Sequence, residues 1–352
     1  MMKTINFLFN NWNWKPPEEW MQIKTIDLHT GGEPLRVYTS GLPEISGKTI
    51  LEKRAFFRDN YDYIRTGTMF EPRGHADMYG AIITEPVSVN ADFGTFFLHN
   101  EGYSTMCGHA IIALVKLVLE TGIISKSDDN PELIIDAPPG QIKARAQLKN
   151  NKVIKVSFLN VPSFVLYQDE NIKVEGIGNI NFDIAFGGAF YAICDINQFG
   201  FNLAEENYHQ LIDYGRKIKN TIIEKYAIQH PFEEELSFLY GTIFTGPAKH
   251  DKKHHSQNVC VFADGEVDRS STGSGVSARS ALLYNKGLID ENQLITIESI
   301  LGTTMDVQIK EVVKYGPYNA VIPEVSGTAF ITGQNSYYFD PEDPLMQGFI
   351  LR

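Results

Sequence analysis

Two segments of this sequence repeat each other's pattern at a distance of 165 positions. Cys107-Gly108-His109-Ala110 opens one and Thr272-Gly273-Ser274-Gly275 opens the other. Superposed at that shift, Gly108 falls on Gly273, Ala113 on Ala278, Leu117 on Leu282, Gly122 on Gly287 and Ile124 on Ile289. Each segment reads as a small polar loop, a Gly, an amphipathic helix and a Gly stop. So few matches can also arise by coincidence. Taken as a repeat, they imply two halves of similar architecture, each presenting a helix start, with a cleft between them. A length of 352 residues fits two domains.

The rest of the chain fits an α/β protein rich in strands. Ile23–Leu28, Leu133–Ile135, Val153–Phe158, Ala189–Ile193 and Asn258–Phe262 are rich in β-branched and aromatic residues between turn signals. Helices are expected from Gly108 to Thr121, from Glu205 to Tyr226 and from Gly275 to Lys286. The loop Lys249–Gln257, with its three His and three Lys, reads as a solvated surface loop rather than a metal site.

A net charge of −12 argues against a nucleic-acid partner held through its phosphates. It leaves a small substrate open, because a local site can be positive in an acidic protein. Three cysteines without a CxxC suit a reduced, cytoplasmic protein better than a disulfide framework. No membrane partner is expected, since the best apolar run, Ala110–Leu119, is short and carries Lys116. Residues 1–20, with Trp12, Trp14 and Trp20, lack the pattern of a signal peptide and read as an extension of unknown role. Met21 would serve as a natural start.

Cys107 stands where a helix begins. Unpaired N–H groups and the helix dipole there favour a thiolate, which is a competent base or nucleophile. A cysteine in such a place is also a common inert core residue. The amides of Gly108 and His109, and of Gly273 and Ser274 opposite, could hold a carboxylate between two helix starts. Such donors would stabilise the enolate formed when a Cα–H beside a carboxylate is removed. No nucleotide loop or metal motif is present, so no cofactor and no metal are expected.

Several longer runs resemble the proline racemase family. They are Asp27–Arg36 (DLHTGGEPLR), Glu71–Gly80 (EPRGHADMYG), Asn100–His109 (NEGYSTMCGH), Gly187–Tyr191, Asn258–Asp264, Asp268–Gly275 (DRSSTGSG) and Glu324–Gly333. The resemblance covers residue 21 to the end. It implies the fold of diaminopimelate epimerase: two like domains, each a curled sheet around a central helix, with a cofactor-free site in the cleft. The domains would span 21–178, with 336–352 returning to it, and 179–335. Racemases of the family use two cysteines, one on each face of Cα. This chain keeps Cys107 but has Thr272 at the second position, and a threonine hydroxyl is no substitute for a thiolate.

The Cys–Thr pair resembles the branch of the family that dehydrates trans-3-hydroxy-L-proline. In that substrate the Cα–H and the hydroxyl lie on the same ring face, so one base on one side suffices. Cys107 would take the proton and return it to the departing hydroxyl. Elimination would give an enamine that becomes Δ1-pyrroline-2-carboxylate. The resemblance also implies that Asp268 binds the ring ammonium, against the competing readings of an N-cap or an Arg269 ion pair. His109 contacts substrate, tunes Cys107 or bonds only to backbone. The roles of His29, Glu33, Arg73, His75 and Asp77 are open, and Cys194 and Cys260 read as core thiols. The alternatives are a proline or 4-hydroxyproline racemase or epimerase, and a non-catalytic imino-acid-binding relative. The partner is a small molecule, and the sequence leaves a homodimer open.

Overall fold

The computed structural model describes residues 13–351. Most of the expected N-terminal extension, residues 1–12 with Trp12, lies outside that range. The rest of it packs: the Trp14 ring lies 6.2 Å from Trp20 and 5.5 Å from Tyr338, both edge-on.

The chain opens with strands β1 (Met21–Thr30) and β2 (Glu33–Ser40), then helix α1 (Ile50–Met69). Strands β3 (Tyr79–Thr84), β4 (Phe93–His99) and β5 (Gly102–Ser104) lead into helix α2 (Gly108–Glu120). After it come β6 (Glu132–Ala137), β7 (Gly140–Lys149) and β8 (Lys152–Leu159). The second run is β9 (Ser163–Val174), β10 (Gly178–Phe186), β11 (Phe190–Asp195), helix α3 (Tyr208–Lys225), β12 (Leu239–Gly246), β13 (Ser256–Phe262) and β14 (Glu266–Val267). Helix α4 (Gly273–Asn285), β15 (Ile295–Glu298), β16 (Thr304–Tyr315) and β17 (Tyr318–Gly327) follow, and β18 (Ala329–Phe339) returns to pair with β1.

The repeat read from two loops runs through the whole sheet. In the first run β2 pairs parallel with β3, β3 antiparallel with β4, β4 antiparallel with β5 and parallel with β6, and β6 antiparallel with β7. In the second, β11, β12, β13, β14, β15 and β16 repeat that order and those directions. Helices α2 and α4 are thirteen residues each and stand 165 positions apart at both ends. Their stops match too: Gly122 and Gly287 follow the helices at φ +73° and +67°, a conformation open to glycine. The first eleven residues of each are buried, as a helix enclosed by a curled sheet requires. α2 packs on β1, β8, β17 and β18, and α4 on β9, β10, β16 and β17. This is the expected α/β architecture of two curled sheets, each around a central helix.

The crossing points differ from the expected bounds at 178 and 335. β9 pairs with β10 and packs on α4, so the chain leaves the first half between Leu159 and Ser163. It returns at Thr328, between β17 and β18. The expected bound at 178 falls in the hairpin between β9 and β10. β17 pairs with both β16 and β8, so it is hydrogen-bonded to strands of both halves at the crossing.

Helix α1 was not anticipated. Its signal is Thr49 with Glu52 three residues on, and the Thr49 side chain accepts from Glu52 N–H at 3.1 Å. The loop read as solvated is pinned. The buried Glu298 carboxylate accepts the N–H groups of Lys249, His250 and Asp251 and meets His254 Nδ1 at 2.8 Å. Burial raises its pKa, but these donors outweigh that and hold it at about 2. Ser256 and Gln257 already belong to β13. Among the described residues no helix is long and apolar enough to cross a membrane, and no group of three or more His, Cys, Asp or Glu is placed to hold a metal.

Candidate active site

The two helix starts meet head to head. A Cβ placed on Gly108 would lie 2.7 Å from Gly273 Cα, and one placed on Gly273 would lie 2.8 Å from Gly108 Cα. Only glycine permits that approach. The positive ends of two helix dipoles therefore converge on one point, and the first-turn amides of each have no partner within their helix.

At that point lies a small cavity, with about 20 Å³ open to the centre of a water molecule. One water needs about 10–15 Å³ by that measure, so the closed cavity has room for about one water molecule. Every residue expected at the site lines it: Cys107, Gly108, His109, Asp268, Thr272, Gly273 and Ser274. Tyr79, Met106, Tyr191, Tyr240 and Phe262 complete the wall. The aromatic wall was missed, because those residues come from separate strands and loops. Tyr79, Met106, Tyr191 and Phe262 all stood inside the motifs quoted above, and only Tyr240 lay outside them.

Cys107 caps α2 through its side chain, with Ala110 N–H donating to Sγ at 3.3 Å. His109 Nδ1 lies 3.2 Å from the same sulfur. The expected lowering of the thiol pKa does not hold. Burial pushes it well above its ordinary value; the Ala110 N–H opposes this, and the nearby Asp268 and Glu33 add to it. Burial also lowers the His109 pKa, which keeps the imidazole neutral.

Thr272 is the N-cap of α4 only by position. Its backbone is at φ +66°, which a β-branched residue rarely adopts, and its side chain makes no capping bond. The hydroxyl is buried, with no hydrogen bond of ordinary geometry among the described residues. Its neighbour is the Cys260 thiol, which burial and then Asp268 push up. The repeat thus holds in position at Cys107 and Thr272 but not in conformation.

Asp268 Oδ1 accepts Ser270 N–H at 2.7 Å, a local turn. Arg269 pairs instead with Asp77 at 2.7 Å, so the competing Asp268–Arg269 ion pair is absent from the salt bridges of the described residues. Glu33 is fully buried, with one oxygen accepting Arg269 N–H at 2.7 Å. Burial and then the Asp268 charge raise its pKa well above the carboxylate range.

The other open motif residues have structural places. His29 Nδ1 accepts Gly32 N–H at 3.2 Å. Arg73 donates to Tyr338 O and Met346 O, tying down the C-terminal segment. Asp77 also accepts the Tyr208 hydroxyl at 2.8 Å, joining the two halves. His75 stays exposed, its Nδ1 2.7 Å from Ala76 O. Cys194 and Cys260 are both buried and unoxidised.

A sequence profile of the proline racemase family matches residues 25–350. The chain belongs to the proline racemase family. It is 51% identical over 342 residues to the trans-3-hydroxy-L-proline dehydratase of Colwellia psychrerythraea, covering 96% of each chain. It is 44% identical to the 3-hydroxyproline 2-epimerase of Burkholderia multivorans, covering 94% of this chain and 98% of the other. Among solved structures, a hydroxyproline epimerase of Agrobacterium vitis with bound trans-4-hydroxy-L-proline superposes with a TM-score of 0.87 at 27% identity. That match covers 94% of this chain and 96% of the epimerase.

Proposed function

We propose that this member of the family dehydrates trans-3-hydroxy-L-proline to Δ1-pyrroline-2-carboxylate, a hydro-lyase reaction. The observation that carries this reading is the asymmetry of the cavity. One wall offers the thiol of Cys107 and the matching place offers Thr272. The Colwellia relative, similar over nearly its whole length, bears the dehydratase name.

In this reading the substrate carboxylate sits between the helix starts, on the amides at Gly108, His109, Gly273 and Ser274. The ring ammonium faces Asp268. Cys107 thiolate takes the α-proton, the electron pair forms the C2–C3 double bond, and the C3–O bond breaks on the same face. The enamine then tautomerises to the cyclic imine. His109, neutral beside the sulfur, holds the thiol in place.

Incubation with trans-3-hydroxy-L-proline, followed by a colour reaction for the cyclic imine, tests the function. Dehydration yields the imine. A racemase or epimerase changes optical rotation without it, and a binding relative does neither. The raised thiol pKa has a consequence of definite sign. The base form of Cys107 gains population as pH rises, so kcat/KM should climb from about pH 6.5 to about 9.5. A profile that is flat or falls over that span would remove Cys107 as the base.

The second reading is epimerisation, favoured by the name of the Burkholderia relative. It needs a second acid–base group on the Thr272 side. Thr272→Cys should therefore gain exchange of the α-proton with deuterium oxide, followed by NMR with each proline and hydroxyproline isomer. The unusual backbone at Thr272 will limit the gain, since a misplacement of about 1 Å costs on the order of 10²-fold. If the folded variant exchanges no better than the parent, position 272 does not decide between the two reactions.

A further inference from the structure

The departing hydroxyl needs a proton donor on the Cys107 side of the ring, because the Cα–H and the 3-hydroxyl share one face. Thr272 stands at the other helix start, and Ser274 Oγ is engaged with the Tyr191 hydroxyl at 2.7 Å. On the first half's wall stands Tyr79, which lines the cavity with Cys107. Its ring packs edge-on against His109 at 4.8 Å, and its hydroxyl is hydrogen-bonded to Ser104 Oγ, three residues before the catalytic thiol. β3 carries Tyr79 and β5 ends at Ser104, and both pair with β4, so the phenol is held by the sheet rather than by a loop.

We propose that Tyr79 is the general acid for the leaving 3-hydroxyl, an assignment that rests on the dehydratase reading above. Cys107 thiolate takes the α-proton and becomes a thiol. As the C3–O bond breaks, the phenol gives its proton to the departing oxygen, and water forms. The resulting phenolate takes the proton from the Cys107 thiol, which restores both groups; substrate has lost one water and nothing else. Ser104 and Tyr240 can donate to the phenol oxygen and steady the transient phenolate, while the phenol proton faces the Cys107 sulfur, on the side where the substrate's Cα–H and hydroxyl lie. Burial keeps the resting phenol protonated, raising its pKa well above the ordinary value, with the Cys107 charge next in effect. The phenol also makes 3-hydroxyproline the suited substrate, since it places a donor where unsubstituted proline has none to receive it.

The test is Tyr79→Phe in deuterium oxide, followed by NMR. Imine formation from trans-3-hydroxy-L-proline should fall by about 10²-fold or more, the usual scale for loss of a general acid. Deuterium should still enter Cα of recovered substrate, and pyrrole-2-carboxylate should still bind. trans-3-Fluoro-L-proline, whose fluoride leaves without a proton, should be eliminated nearly as fast by the variant as by the parent. Imine formation within threefold of the parent would overturn the proposal. So would equal loss of exchange and of fluoride elimination in a variant that still binds pyrrole-2-carboxylate. Should the variant not fold, the parent decides. Elimination from the hydroxy substrate should slow in deuterium oxide and that from the fluoro substrate should not; equal slowing would count against Tyr79. If the parent itself forms no imine, the dehydratase reading falls and this one with it; if only Tyr79→Phe behaves like the parent, this one falls alone.

Discussion

Cys107→Ser lowers dehydration by at least about 10²–10⁴-fold, the range typical of a lost general base. Serine keeps the size and can still cap α2 by accepting from Ala110 N–H, so the fold should stand. What is lost is an ionisable group, since an aliphatic hydroxyl yields no usable anion near neutral pH. The measurement is imine formation beside a binding assay with pyrrole-2-carboxylate, which should bind the variant as it binds the parent. Iodoacetamide should inactivate the parent, slowly because Cys107 is only 3% exposed, and pyrrole-2-carboxylate should protect. Substantial turnover by Cys107→Ser would end the mechanism proposed here.

Gly273→Ala should cost both activity and stability. The new methyl would meet Gly108 Cα at 2.8 Å and Gly108 C at 3.2 Å, and both are backbone atoms that cannot swing aside. Overpacking of this kind typically costs about 1–3 kcal/mol. To make room the two helix starts must move apart, and the carboxylate cradle goes with them. A shift of about 1 Å is enough for a loss on the order of 10²-fold. Gly108→Ala should do the same, with Gly273 Cα at 2.7 Å and Phe158 Cζ at 3.0 Å in the way. Gly333→Ala is the control: nothing lies within 4 Å of its Cβ, so it should leave both properties unchanged. Thermal unfolding and turnover of the three variants check this. Parent-like values for Gly273→Ala would show that the helix starts are not in contact.

The sequence by itself determined the two central helices, their glycine stops and the meeting of two like halves. Those features are local. Glycine at a helix end, a small residue at its start and apolar spacing between them act within a few residues, so they are legible without a structure. The long motifs likewise identified the family and brought forward Cys107, His109, Asp268 and Thr272, all of which share the cavity.

Tertiary structure alone decided three things. The first is where the halves begin and end: β8, β9 and β17 carry the crossing in extended chain, and strand partners are chosen across the sheet rather than along the sequence. The second is the aromatic wall, since Tyr79, Tyr191, Tyr240 and Phe262 converge only when both sheets curl around their helices. The third is the state of the groups. A helix start on paper favours a thiolate, yet in the closed cavity desolvation and two neighbouring carboxyls outweigh the Ala110 amide and the Tyr79 hydroxyl at Cys107. Matching positions likewise hide a difference in conformation: Thr272 lies at φ +66° and its side chain makes no capping bond. Burial and backbone conformation depend on everything packed around a residue, and its immediate sequence neighbours report only a small part of that.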